Sequence, residues 1–157
     1  MGLDMYLYKA DKDGNYDWKN DEVAYWRKAN HIHNWFVQNV QDGIDECQDS
    51  VVSKGKVEEL LSVCNEVLMS INLVDGEVNN GYTFKNREMT PIVEKGKIIE
   101  DPTVAKKLLP TRSGFFFGGT DYDEYYVDDI ERTVNTLYEI LESFDFENNT
   151  LIYTSSW

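Results

Sequence analysis

The sequence has few cysteines and no long apolar run, and each shortage excludes a class of protein. Cys47 and Cys64 are the only cysteines among 157 residues, too few for a disulfide framework or a cysteine-based metal cluster. No apolar run approaches the roughly 18 residues that a membrane-spanning helix needs. The first residues carry no basic segment, so we expect no signal peptide and no membrane association. The predicted location is the cytoplasm.

Basic residues are also scarce. The chain has 15 lysines and arginines against 29 aspartates and glutamates, which gives a net charge of −14. This acidity disfavours contact with phosphates, so we predict no direct binding of nucleic acid. Hydrophobic residues nevertheless make up 41% of the chain and aromatic residues 13%, more than a disordered acidic tail contains. They suffice for the core of one domain over residues 1–157.

Two periodicities divide the chain into strands and helices. Period-two alternation predicts a strand at residues 3–8. A second strand is predicted at residues 151–157, and we expect the two to share one sheet. Apolar residues at helical spacing predict helices over residues 22–39, 56–71, 101–109 and 122–144. The predicted fold class is therefore α+β: a single compact domain with a mainly antiparallel sheet, covered by two or three amphipathic helices.

Glycine and asparagine residues, which favour turns, recur through the rest of the chain. They predict turns at residues 74–77 and 79–81, followed by a small hairpin over residues 92–99. The apolar run at residues 113–119 is bounded by glycines and predicts a short buried strand. We expect Thr120 or Asp121 to cap the helix that follows.

The densest cluster of polar and aromatic side chains lies in the first predicted helix. Helical spacing brings Arg27, Asn30 and His33 onto neighbouring stripes of that helix. Their guanidinium, amide and imidazole groups could hold a nucleotide or another small anion. Alternatively, the same groups hydrogen-bond to neighbouring backbone in the core. The candidate ligand-binding residues are Tyr25, Trp26, Arg27, Asn30, His33 and Arg112.

Metal and catalytic motifs are missing. His31 and His33 are two residues apart, so on a helix they point to different faces. A spacing typical of a calcium loop begins at Asp11, but Tyr16 stands where that loop requires glycine. No nucleophile motif or phosphate loop is present. We predict no metal, no cofactor and no catalytic residue. A weak hydrolase that uses His33 and a neighbouring carboxylate stays open.

The last predicted helix and its flanks are almost wholly acidic. Residues 121–147 contain ten acids and one base, for a net charge of −9. Such a face can resemble a phosphate backbone to a basic partner. The alternative is that the charge only confers solubility. The candidate partner-binding residues are Asp121, Asp123, Glu124, Asp128, Asp129 and Glu131.

Four motifs spread over nearly the whole chain carry a resemblance to a known family. They are MGLDMYL at the start, YWRKAN with His33 and Trp35-Phe36 after it, LPT-x-SGFFFG, and YDEYY. Together they resemble a family of small, acidic bacteriophage and prophage proteins whose activity is not characterised. The resemblance implies expression inside an infected bacterium and supplies no catalytic residues.

Two functions are consistent with these observations. The preferred one is a non-enzymatic phage accessory protein that binds and modulates or inhibits a host or defence protein with a basic surface. Mimicry of nucleic acid by the acidic face is one form of that function. The alternative is a protein that binds or sequesters a nucleotide, or a weak hydrolase, through the cluster in the first helix. The sequence leaves the oligomeric state open.

Overall fold

The computed structural model describes residues 2–157 and shows an α+β fold with two antiparallel sheets, as the sequence predicts. In chain order the elements are β1 (Asp4–Ala10), β2 (Glu22–Arg27), α1 (Asn30–Asn39), β3 (Ser50–Val51), α2 (Lys54–Ser70), β4 (Leu73–Lys85), β5 (Glu88–Ile99), α3 (Thr103–Leu108), α4 (Glu124–Ser143) and β6 (Thr150–Ser156). The larger sheet has the strand order β2-β1-β6-β3, and β4 and β5 form the smaller one.

The two ends of the chain meet at the centre of the larger sheet. β1 and β6 pair over their whole length, with Leu7 opposite Tyr153. Leu3, Met5 and Leu7 are fully buried, as their alternation predicts. The expectation that strands from both ends of the chain share a sheet is confirmed.

Helices α2 and α4 pack against each other and bury one apolar stripe each. These stripes consist of Val57, Leu60, Cys64 and Val67 on α2, and of Tyr126, Ile130, Leu137 and Ile140 on α4. Burial of each aliphatic side chain contributes about 1.5–3 kcal/mol. Both helices are confirmed, but Asp123 caps α4 instead of Thr120 or Asp121: its carboxylate accepts from the backbone N–H groups of Tyr125 and Tyr126.

The predicted helix over residues 22–39 is wrong in its first third. Residues 22–27 form β2, which pairs with the edge of β1, and the helix begins only at Asn30. Ala24 and Trp26 are buried there while Tyr25 is exposed, a period of two that a helix would not give. Pairing with β1 supplies hydrogen-bond partners for the backbone that local spacing cannot reveal. Lys28, at a φ of 57°, turns the chain between strand and helix.

The middle of the chain forms one long hairpin, which we call the arm (residues 73–99). The predicted turns at residues 74–77 and 79–81 and the hairpin at residues 92–99 are therefore wrong. β4 and β5 pair antiparallel from Leu73 opposite Ile99 to Lys85 opposite Glu88. The connecting turn is Asn86-Arg87, both at positive φ, as a two-residue hairpin loop favours.

The glycine-bounded run at residues 113–119 forms a loop, so the predicted buried strand is also wrong. Phe117 is buried beneath this loop, whereas Phe115 and Phe116 are exposed. The loop bonds to the chain start through the backbone N–H of Leu3, which donates to the carbonyl of Phe116.

Candidate ligand site

The structure distributes the six predicted ligand-binding residues over three places. Tyr25 and Arg27 lie on the exposed face of β2, where both donate to Oδ1 of Asp4, at 2.5 and 2.9 Å. Trp26 faces the opposite way, is buried, and donates from Nε1 to the hydroxyl of Thr133 at 2.9 Å. A buried indole has no free face on which a ligand could stack.

Asn30 is buried and fully engaged with the loop at residues 112–119. Its side-chain amide donates to the carbonyls of Phe117, at 3.1 Å, and Gly119, at 2.8 Å. Its Oδ1 accepts from the backbone N–H of Arg112 at 2.9 Å. These three bonds leave Asn30 little capacity to bind a ligand, so its role here is to hold the loop against α1.

His33 lies in a buried chain of polar groups that includes Arg112. Nδ1 of His33 lies 2.6 Å from the hydroxyl of Tyr153, and Nε2 lies 3.0 Å from Oδ2 of Asp45. Arg112 approaches the same Oδ2 with Nε at 3.4 Å, and Trp157 donates to Oδ1. Burial lowers the pKa of His33, although the hydrogen bond that its ring makes to the Asp45 carboxylate acts in the opposite direction. A neutral imidazole satisfies both of its partners.

A cavity of about 240 Å³ lies where β2, α1, α4, the loop and the arm meet. Of the six predicted ligand-binding residues, the described chain brings only Arg27 to its wall. The groups that this cavity brings together are Arg27, Lys28, His31, Asn79, Asn80, Gly81, Thr111, Gly118, Gly119, Asp121, Asp123, Tyr125, Tyr126 and Asp129.

His31 forms the inner wall of the cavity. Its ring stacks on Tyr126 with ring centroids 4.2 Å apart, and the residue is only 3% exposed. Nε2 has no hydrogen-bond partner among the described residues, although it is fully buried. Burial lowers the pKa of His31 to about 3, so the ring is neutral at physiological pH. A buried polar atom without a partner costs about 1–3 kcal/mol, and a ligand in the cavity could offset that cost.

Lys28 places a cation at the rim of the cavity. Within residues 2–157 its ammonium group takes part in no hydrogen bond or ion pair. Its backbone adopts the left-handed conformation, which is uncommon for a residue other than glycine and is often found at functional sites. Gly118, at a φ of 90°, packs on it so closely that an added Cβ would lie 3.0 Å from Cβ of Lys28. Close packing against Gly118, in the loop at residues 112–119, therefore fixes the position of Lys28.

Carboxylates form the side of the cavity contributed by α4 and the residues before it. Asp121 is exposed at the rim, Asp123 caps the helix, and Asp129 is largely buried and pairs with Arg132. Burial raises the pKa of Asp123 and of Asp129. The cavity thus has cations on one side, carboxylates on the other and a neutral ring between them. This arrangement suits a molecule with an anionic group at one end and hydrogen-bond donors at the other.

The residues of the predicted acidic face differ in exposure: some are open to solvent and others are engaged by neighbouring groups. Asp128 and Glu131 are exposed on α4, as are Glu139 and Glu142 further along. Glu124 instead accepts a hydrogen bond from the backbone N–H of Lys97 on the arm, at 2.8 Å. With Asp123 and Asp129 engaged as well, the exposed carboxylates of the predicted acidic face are those of Asp121, Asp128 and Glu131.

Lys28 and Tyr125 line this site although the sequence does not indicate them as ligand-binding residues. His31 shares a helical stripe with Arg27 and Asn30 but is not among the six predicted ligand-binding residues. It lies between two predicted ligand-binding residues, but its missing partner depends on how α4 packs over it. Among the described residues, no group of three histidine, cysteine or acidic side chains is placed to hold a metal ion. No helix within residues 2–157 is both long and apolar enough to cross a bilayer.

Comparison of the chain with protein-family models, with curated proteins and with solved structures finds no match.

Proposed function

We propose that this protein binds a small polar molecule, of mononucleotide size or smaller, in the cavity between Lys28 and His31. The observation that supports this most is that His31, a residue lining the cavity, has a buried Nε2 without a hydrogen-bond partner among the described residues. A ligand that bonds to this atom satisfies a group that the folded chain leaves unsatisfied. Binding of a nucleotide by this chain was the second of the two functions consistent with the sequence.

The chemistry of the wall favours a nucleotide over a neutral metabolite. Lys28 and Arg27 would bind an anionic group such as a phosphate. His31 would hydrogen-bond to an edge of the base, and Asp121 would accept from its exocyclic amino group. Tyr125 lines the same cavity and is partly exposed, so its ring is available for stacking.

The test is thermal unfolding with a panel of nucleoside monophosphates, cyclic mononucleotides, the parent nucleosides and free amino acids. We expect one or more of the phosphorylated compounds to raise Tm by several degrees at saturation, since a ligand at about 100 times its Kd stabilises by about 2.7 kcal/mol. The parent nucleoside should give a smaller shift. No shift with any compound at millimolar concentration would overturn the proposal. Turnover of the bound compound would distinguish an enzyme from a sequestering protein.

Two variants assign the binding to this cavity. His31→Phe keeps the stacking on Tyr126 and removes both the unsatisfied nitrogen and the hydrogen bond between the ring and the backbone of Tyr126. These two losses oppose each other, so the free protein should stay folded with a stability close to that of the wild type while the ligand-induced shift disappears. Lys28→Gln should weaken binding of the phosphorylated compounds at least tenfold. Lys54→Gln, at an exposed lysine at the start of α2, is the matched control and should bind normally. Equal binding by His31→Phe and the wild type would place the site elsewhere.

A second function, the acidic partner surface of a phage accessory protein, is favoured by the exposed carboxylates of α4. Asp128, Glu131 and Glu142 lie at helical spacing on its solvent side and can present negative charge to a basic groove. The partner would be a host or defence protein that binds nucleic acid, and contact would weaken as salt increases.

This second function is tested by charge reversal on α4. The variant with Asp128→Lys and Glu131→Lys should fail to retain a basic protein that the wild type captures from bacterial lysate at low salt. Duplex DNA should displace the captured protein if the acidic face mimics nucleic acid. Capture that is the same for wild type and variant would exclude this surface as the binding site.

A further inference from the structure

The arm extends well beyond the part of the chain that supports it. Only its base is packed: Val78 and Ile99 are buried, and the backbone of Ile98 pairs with that of Asp123 beside α4. Strands of 12 and 13 residues span about 40 Å, at roughly 3.3 Å per residue. A two-stranded hairpin without a third strand is marginally stable in water. Within residues 2–157, neither long edge of the distal arm pairs with a third strand.

The register of the arm collects apolar side chains on one face of its distal half. Tyr82 lies opposite Pro91, and Phe84 lies opposite Met89 two residues further along. Side chains two residues apart on a strand share a face, so these four form one continuous apolar patch. Phe84 is 70% exposed and Met89 is 61% exposed. A contiguous exposed patch of this kind usually marks an interaction surface.

The charge of the arm differs from that of the rest of the chain. Residues 73–99 contain four acids and four bases, so the arm is neutral and the whole charge of −14 lies outside it. Two copies of this protein would repel each other through every other surface of this acidity. Near the tip, Lys85 and Arg87 lie beside Glu88, so the arm carries both signs and can complement itself across a two-fold axis. A strongly basic partner would find no matching charge here.

We propose that the arm is a dimerisation element, which pairs with the arm of a second copy of this chain through the patch of Tyr82, Phe84, Met89 and Pro91. Contact through the distal ends of the two arms buries their apolar faces. It also keeps the acidic remainder of one copy away from that of the other. The same surface on both partners gives a closed dimer. This inference does not depend on the ligand proposed above, since the patch lies beyond the residues that line the cavity.

The test is sedimentation equilibrium of the intact protein at moderate salt. The wild type should have about twice the monomer mass of 18.3 kDa. Phe84→Lys should sediment as a monomer with unchanged helical circular dichroism. Phe115→Lys is the matched control, because Phe115 is equally exposed, at 73%, but belongs to the loop at residues 112–119 and not to the apolar patch of the arm. This control should stay dimeric.

Hydrogen exchange provides a second readout. Amides of residues 82–91 should exchange at least tenfold more slowly at high protein concentration than at low concentration, and Phe84→Lys should remove this dependence. A wild type that is monomeric at a hundred micromolar would overturn the proposal. So would a Phe84→Lys variant that remains dimeric, or arm amides that exchange at the same rate at every concentration.

Discussion

The hydroxyl of Tyr153 lies 2.6 Å from Nδ1 of His33, although 120 residues separate the two in the chain. Nε2 of the same ring lies 3.0 Å from the carboxylate of Asp45. An imidazole that donates from Nε2 and accepts at Nδ1 satisfies both neighbours while neutral. These three side chains therefore join β6, α1 and the loop after α1 inside the fold.

Replacement of Tyr153 by phenylalanine tests what this contact contributes. Phenylalanine keeps the ring that stacks on Phe36 at 3.9 Å but leaves Nδ1 of His33 buried without a donor. The free energy of unfolding, measured in urea, should fall by about 1–3 kcal/mol. Tyr138→Phe, at an exposed tyrosine of α4, should change it by less than about 0.5 kcal/mol. Equal effects of the two variants would mean that the Tyr153 hydroxyl adds no stability.

His31 makes stability depend on pH with a definite sign. Its pKa is about 3 in the folded protein against 6.5 for an unperturbed histidine, so between these values the unfolded chain takes up a proton that the folded protein does not. The stability due to its neutral state is present above pH 6.5 and is lost as the pH falls. From pH 7 to pH 5.5 His31 alone should remove about 1 kcal/mol from the free energy of unfolding.

The pH effect is measured by urea unfolding of the wild type and of His31→Phe at both pH values. The variant should lose about 1 kcal/mol less than the wild type over this interval. His33, whose pKa burial also lowers, contributes in the same direction and is common to both proteins. Parallel losses in the two proteins would show that His31 can be protonated in the folded state.

The elements that the sequence predicts correctly bury one face and expose the other. α2 and α4 carry apolar residues at helical spacing over more than four turns, and β1 alternates with period two from its first residues. Such patterns are local, because the face that enters the core is set by the spacing alone. Cys64 lies within the apolar stripe of α2 and is buried with it.

The incorrect predictions concern segments whose structure depends on pairing with a distant strand. Residues 22–27 fit a helix by spacing, but the free edge of β1 makes them a strand. The Asp-Gly and Asn-Gly pairs of β4 are typical of turns, yet β5 lies along them and Gly76 is paired with Gly96. Neither outcome is encoded within a window of ten residues, because it depends on pairing between segments.

The candidate site is predicted least well for the same reason. Arg27 and His31 are close together in the sequence. The rest of the cavity wall, however, comes from α4, the loop and the arm, which are up to about a hundred residues away along the chain. Asn30 and His33 have the chemistry of ligand-binding groups, and the fold engages both with protein partners. Only the three-dimensional structure separates a satisfied polar group from an unsatisfied one.

Asn30→Ala should release the loop at residues 112–119 from α1. The substitution removes three hydrogen bonds to backbone groups of the loop, and we expect the free energy of unfolding to fall by about 2–4 kcal/mol. Trypsin should cleave after Arg112 at least tenfold faster than in the wild type. Asn34→Ala, which removes one bond to the side chain of Arg112, is the control and should cost about 1 kcal/mol or less. A loop that resists trypsin equally in all three proteins would show that other contacts hold it.

Asp123 is expected to stabilise the protein as a helix cap, and its charge should be dispensable for that role. Its Oδ1 accepts from the backbone N–H groups of Tyr125 and Tyr126, at 3.0 and 3.1 Å. Asp123→Ala leaves these donors without a partner and should lower the free energy of unfolding by about 1–2 kcal/mol. Asp123→Asn keeps the accepting oxygen, and because burial raises the pKa of Asp123, loss of its charge carries little penalty at neutral pH. The asparagine variant should therefore unfold in urea at nearly the same midpoint as the wild type. If it unfolded as early as the alanine variant, the negative charge at the start of α4, and not the hydrogen bonds, would be what stabilises the helix.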